Sequence, residues 1–205
     1  MEAIQEKMKI RLFSVILFVF GINYANIFEG IWLQKSRTKG GLGTQINIFS
    51  GSEADITFGA IVDTKYRFEK GILYLSDSQN GYDSVGYRLC GDTLFSMDKS
   101  NPKKMKLKGY LESQEPRTKI DSIVGTWTFK YNDVVPSFYR FSGNGTGYLH
   151  VQMMRKKATY QNLDSNKIKI RFGKNDSDTF SINKERTNLV DNNGQQYERF
   201  DFMPQ

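Results

Sequence analysis

Through the second half of the chain, hydrophobic and polar residues alternate with a period of two. Trp127, Phe129 and Tyr131 share one face, with Thr128 and Lys130 opposite. Further on, Leu149, Val151 and Met153 alternate with Tyr148, His150 and Gln152. Ile168, Ile170 and Phe172 then alternate with Lys167, Lys169 and Arg171. Such alternation predicts antiparallel strands with one face buried. Asn80-Gly81, Asn144-Gly145 and Asn193-Gly194 suit tight hairpin turns, because both residues tolerate positive φ. No segment carries a helical period beyond one turn ahead of each Gly-x-Trp, so the expected class is all-β.

The same pattern occurs twice. Gly30-Ile31-Trp32 and Gly125-Thr126-Trp127 contain the two tryptophans, and Phe28 and Ile123 stand at the same place before each. Ile48-Phe49-Ser50-Gly51 answers to Arg140-Phe141-Ser142-Gly143, Tyr66 to Tyr160, and Tyr87-Arg88-Leu89 to Phe180-Ser181-Ile182. The offsets stay within a few residues of about 93, as expected for equivalent elements joined by loops of slightly different length. About eight short strands are read in each copy, ending near Leu107 and Phe200. Residues 26–112 and 120–205 are the two units. Between them, residues 113–119 are polar and contain Pro116, which is linker chemistry. Eight strands in meander order remove their exposed edges by closing into a barrel.

The N-terminus supplies an address. Met8-Lys9-Ile10-Arg11 precedes an apolar run from Leu12 to Ile22, the order of a secretory signal peptide. The run is shorter than the roughly 20 residues a membrane-spanning helix needs. Glu2 and Glu6 fit poorly in a basic leader, and a start at Met8 would remove them. Cleavage after Ala25 makes residues 1–25 the signal and places the mature protein outside the cytoplasm, secreted or periplasmic, with no stable membrane insertion.

Composition then limits the chemistry. The aromatic share of 14% against only four prolines agrees with strands. A single cysteine (Cys90) and a single histidine (His150) exclude an internal disulfide and a Cys/His zinc site built from this chain alone. His150 falls on the polar side of its strand with Tyr148 and Gln152, where a solvated position is expected. Cys90 adjoins the turn at Gly91-Asp92, and Asp176 and Asp178 read as turn chemistry. No metal, cofactor or catalytic group is assigned, and the reading is non-enzymatic. The net charge of +7 falls by one unit on loss of residues 1–25 and is read as a solvated exterior, without a nucleic-acid partner. Arg155-Lys156-Lys157 is taken as a turn or strand-end cluster.

These motifs together carry a resemblance. A hydrophobic residue, a spacer and Gly-x-Trp on the first strand resemble the opening of small bacterial lipocalin-like domains. The second copy continues the likeness with Tyr139-Arg140-Phe141-Ser142-Gly143-Asn144-Gly145-Thr146-Gly147, Thr159-Tyr160 and Tyr197-Glu198-Arg199. The first copy departs from it: Gly51-Ser52-Glu53-Ala54 replaces the glycine-rich turn, and Lys106 or Lys108 stands where Arg199 would be. The resemblance implies two tandem eight-stranded antiparallel up-and-down barrels, 26–112 and 120–205. It also implies that Gly30, Trp32, Gly125, Trp127 and Arg199 are structural, with Arg199 packed across Trp127. Two functions follow from it. The first is an exported binding protein whose second barrel holds a small apolar ligand, lined by Trp127, Phe129, Leu149, Val151 and Tyr160. The alternative is a protein-interaction or inhibitor module whose barrels are filled by their own side chains and act through an outer face or loop mouth. Exposed Tyr74, Tyr82 and Tyr148 would suit the second.

Overall fold

Among the described residues, fifteen strands, all antiparallel to their neighbours, and one short 3-10 turn at Ser50–Ser52 account for the regular structure. The computed structural model describes residues 26–77, 81–82, 86–99, 104–108 and 123–200. The expected signal segment 1–25, the linker 113–119 and the side chain of Tyr82 lie outside the described residues. Among the described residues, no helix is long and apolar enough to cross a membrane.

The first repeat contributes β1 (Gly30–Gln34), β2 (Leu42–Ile48), β3 (Glu53–Glu69), β4 (Ile72–Asp77), β5 (Gly81–Tyr82), β6 (Tyr87–Cys90), β7 (Thr93–Ser96) and β8 (Lys104–Lys108). The second contributes β9 (Gly125–Tyr131), β10 (Val135–Phe141), β11 (Thr146–Asn162), β12 (Lys167–Arg171), β13 (Ser177–Ile182), β14 (Asn188–Asp191) and β15 (Gln196–Phe200). Two strands stand out by length. β3 and β11 each run 17 residues, against four to seven for most others.

Each long strand divides its length between two neighbours along one edge. β3 pairs with β2 from Ala54 to Ala60 and with β4 from Lys65 to Glu69. β11 pairs with β10 from Gly147 to Val151 and with β12 from Thr159 to Asn162. Along their other edges, β3 and β11 pair with each other from Thr146↔Lys65 to Thr159↔Glu53.

The expectation that each repeat closes on itself is therefore not met. One closed circuit of hydrogen-bonded strands runs β1-β2-β3-β11-β12-β13-β14-β15 and returns to β1. It uses the front of the first repeat and the back of the second. The other runs β9-β10-β11-β3-β4-β6-β7-β8 and returns to β9, with the reverse sharing. For the second repeat the physical reason lies in the middle of β11. A self-closed repeat would need β3 or β11 to fold back as a hairpin. Residues 152–158, however, read Gln-Met-Met-Arg-Lys-Lys-Ala, without a Gly, Pro, Asn or Asp to favour a reversal. The cluster at Arg155-Lys156-Lys157 is mid-strand, not a turn.

A bulge makes the long strand serve both circuits. The β3–β11 register slips between Gln152↔Gly59 and Met154↔Phe58, leaving Met153 as the extra residue. Odd positions such as Leu149 share the Trp127 face before it, whereas the even positions Ala158 and Tyr160 join a core after it.

Two cores result, one in each circuit. The first gathers Phe28, Trp32, Ile46, Ile48, Tyr160, Ile168, Ile170, Phe180, Leu189 and Tyr197. The second gathers Leu73, Leu75, Leu94, Met105, Ile123, Trp127 and Phe141. Both indoles are fully buried, and each donates its Nε1 hydrogen 2.8 Å to a carbonyl four residues earlier, Phe28 for Trp32 and Ile123 for Trp127. Phe28 and Ile123 are themselves buried in these cores, which accounts for a hydrophobic residue before each Gly-x-Trp. Gly30 and Gly125 both hold φ near +139°, a backbone region costly for any other residue.

Candidate functional site: a polar seam between the circuits

The outer faces of the two circuits meet, and that meeting buries the side of each strand expected to face water. Ile31 and Leu33 on β1 and Ile61 on β3 form a third cluster with Tyr148 on β11, against which Phe138 and Phe200 pack. Beside this apolar floor lies a set of buried polar groups from both repeats: Gln45 and Asn47 on β2, Asp55 and Thr57 on β3, Thr126 on β9, Arg140 on β10, and His150 on β11. Alternation places all of them on outward faces, with Gln45 and Asn47 opposite Ile46 and Ile48.

Gln45 is the centre of the network. Its Oε1 accepts from the Tyr148 hydroxyl at 2.9 Å and lies 3.1 Å from His150 Nδ1, while its Nε2 donates to Asn47 Oδ1 at 2.7 Å. Arg140 donates from Nη1 to Tyr148 Oη at 2.9 Å and to Asn47 Oδ1 at 3.4 Å, and from Nε to Thr126 Oγ1 at 3.2 Å. Its guanidinium also lies 4.8 Å from the Phe138 ring centroid. The hydrogen bonds from the second repeat to Gln45 and Asn47 tie the repeats together. Hydrogen bonds from a buried charged donor are among the stronger ones available to a protein.

His150 is locked in the neutral form. Burial, followed by the nearby Arg140 and Arg37 guanidiniums, pushes its pKa down to about 4. With Gln45 Oε1 as acceptor, the ring proton sits on Nδ1 and leaves Nε2 as a bare lone pair. That Nε2 and Thr57 Oγ1 are the buried side-chain atoms without a hydrogen-bond partner among the described residues. Thr57 stands directly across from Gln45 in the β2–β3 register. Gly59 makes this crossing possible: a Cβ there would lie 2.1 Å from the Val151 carbonyl oxygen and 3.1 Å from His150 Nε2.

The structure redistributes the residues singled out from the sequence. Trp127, Phe129, Leu149 and Val151 share one face of the second circuit through the registers Trp127↔Tyr139↔Leu149 and Phe129↔Ser137↔Val151. Tyr160 does not join them. It belongs to the first core, where its hydroxyl accepts from Asn26 Nδ2 at 2.6 Å and donates to the Phe49 carbonyl at 3.0 Å. Its counterpart Tyr66 takes the equivalent place in the second circuit, donating 2.7 Å to the Ser142 carbonyl.

Arg199 is likewise displaced from the expected partner. It lies across from Trp32 in the β1–β15 register, with its guanidinium 5.4 Å from the Trp32 ring, and donates to the Glu29 carbonyl at 2.7 Å. Trp127 instead stands in register with Leu107. Strand exchange explains both corrections, since the end of the second repeat closes onto the start of the first.

Two residues expected at the surface are buried. His150 is 0% exposed and Tyr148 1%, because the other circuit covers their face. Cys90 is exposed at the end of β6, in keeping with its turn position, and Tyr74 is half-buried beneath the Arg67 guanidinium at 5.0 Å. Among the described residues, no cluster of His, Cys, Asp or Glu has metal-binding geometry. The sequence carries a signal for the seam: Gln45 and Asn47 on β2 and Tyr148 and His150 on β11 all fall at outward positions of their strands. Comparison with protein families, curated proteins and solved structures finds no match for this chain.

Proposed function

We propose that this protein is an exported, non-enzymatic interaction module: two side-chain-filled eight-stranded barrels, exchanged between the repeats, that meet a protein partner through an outer face. The observation that carries this reading is the cluster of buried side chains inside each circuit. Each is occupied by its own aromatic and aliphatic side chains around a fully buried tryptophan. An eight-stranded barrel has room for side chains or for one small ligand. The residues expected to line a ligand site also divide between two interiors, which weakens the small-apolar-ligand reading.

The lipocalin-like resemblance belongs to this proposal. It is supported by the paired positive-φ glycines Gly30 and Gly125 that open β1 and β9, and by Arg199 lying across a first-strand tryptophan. A non-catalytic role is favoured by the state of His150, neutral and held against Gln45. Export, with a secreted or periplasmic location, rests on the basic and apolar order of residues 8–22.

The test is organic extraction of gently purified protein followed by mass spectrometry. The expected result is no small molecule at stoichiometric yield. Recovery of one apolar species per chain would overturn the reading in favour of a carrier.

A further inference from the structure

The two long strands cross between circuits in the same way, but their open stretches are treated differently. On β3 the gap between its pairings with β2 and β4 is short and stitched. Ile61 N–H donates 2.8 Å to the Gly41 carbonyl, and Arg37 reaches across to bond the Ile61 carbonyl at 3.4 Å and the Asp63 carboxylate at 2.8 Å. The stitching residues belong to the loop at 35–41 between β1 and β2.

The equivalent loop of the second repeat is only residues 132–134, and it supplies no such cover. Pairing of β10 with β11 stops at Ser137↔Val151, one residue short of Pro136, which has no N–H to offer. Pairing with β12 begins at Arg171↔Thr159. Among the described residues, 152–158 therefore pair with β3 on one edge and with nothing on the other. Alternate backbone N–H and C=O groups along that edge remain available to a further strand.

Side chains specify what such a strand should be. Met153 and Met154 are 67% and 51% exposed at the start of the edge, offering adaptable apolar contact. Arg155, Lys156 and Lys157 follow, all exposed. Arg155 is paired with Asp55, and Lys156 lies 3.8 Å from Asp176. Lys157 has no carboxylate partner among the described residues. The adjoining wall of β12 adds Lys167, Lys169 and Arg171, which likewise have none. A second copy is a poor occupant. Antiparallel pairing of this edge with itself about Lys156 would set Lys156 against Lys156 and Arg155 against Lys157, and like charges directly opposite destabilise a sheet.

We propose that the open edge at residues 152–158 accepts an extended, acidic segment of a partner protein as an added strand. The proposal rests on the interaction-module reading and assigns that module its surface. The basic side chains that deter edge-to-edge self-association also select for negative charge in the partner.

The experiment uses the full chain and two eight-residue peptides, one alternating Val with Glu and the other Val with Lys. Binding is followed by fluorescence anisotropy at low and high salt, and edge amides by hydrogen exchange. The Glu peptide is expected to bind, to weaken at least tenfold in high salt, and to protect amides within 152–158. The Lys peptide is expected not to bind. Absence of Glu-peptide binding overturns the acidic-strand proposal. Full protection of these amides before any peptide is added, showing that another segment of the chain or a second copy already occupies the edge, also overturns it. Undiminished binding to the Lys156→Glu/Lys157→Glu variant overturns the edge assignment while leaving an interaction module standing. Only the extraction experiment reaches the reading beneath.

Discussion

The Arg199 guanidinium lies 5.4 Å from the ring of Trp32, a residue at the far end of the other repeat, and not over Trp127 in its own. Cation–π contacts of this kind contribute about 0.5–2 kcal/mol depending on desolvation. Replacing Arg199 with Ala should therefore lower the melting temperature by a few degrees. A double-mutant cycle with Trp32→Phe should show coupling, and one with Trp127→Phe should show essentially none. Coupling to Trp127 alone would contradict the exchanged arrangement.

Exchange makes a second prediction. If a protease site is placed within residues 113–119 and the folded chain is cut there, the two pieces should stay together. They should also unfold in one transition, because each circuit contains strands from both. Two barrels in tandem would separate into two independently folded fragments. Gel filtration of the nicked protein decides between these results.

His150 gives the protein a pH-dependent stability of fixed sign. Its folded pKa, about 4, lies below the 6.5 of an unperturbed imidazole, so between these values the unfolded chain binds the proton and the folded chain does not. Stability contributed by the neutral ring is complete above about pH 6.5 and is lost as the pH falls toward 4. The loss amounts to at most about 3 kcal/mol. Urea midpoints measured across that range should fall with decreasing pH, and His150→Gln should flatten the slope.

Met153 is predicted to matter by its presence and not by its chemistry. Deleting it removes the bulge and turns Ala158 and Tyr160 from the first core toward the outer face, so cooperative unfolding should be lost. Met153→Ala keeps the register and should alter stability by about 0.5 kcal/mol or less, the usual range for an exposed position. Calorimetry of the two variants checks the contrast.

Much of the fold was legible along the chain. Alternation at Lys167–Arg171 marked both the strand and its buried face, whereas at Trp127–Tyr131 it marked the strand while Tyr131 is 43% exposed and Thr126 is buried; the repeat located equivalent strands in each half. The seam was harder to read because burial of an outward face is a property of two surfaces meeting. Tyr148 and His150 alternate correctly with Leu149 and Val151, yet their polar face is more deeply buried than the apolar one. Sequence alternation assumes water outside, whereas here the outside is another circuit.

Local pattern by itself determined that this chain is all-β, duplicated, and built around a Gly-x-Trp strand in each half. Those features depend on side-chain spacing and turn chemistry within a few residues, which a sequence records directly. Which half closes onto which was decided only in three dimensions. Because the repeats are equivalent, closing within a repeat and closing between repeats bury nearly the same core contacts, and strand pattern cannot separate them. The balance is set by β3 and β11 running straight where a self-closed repeat would turn. It is also set by the contacts that only the exchanged form makes: Gln45 and Asn47 with Tyr148, His150 and Arg140.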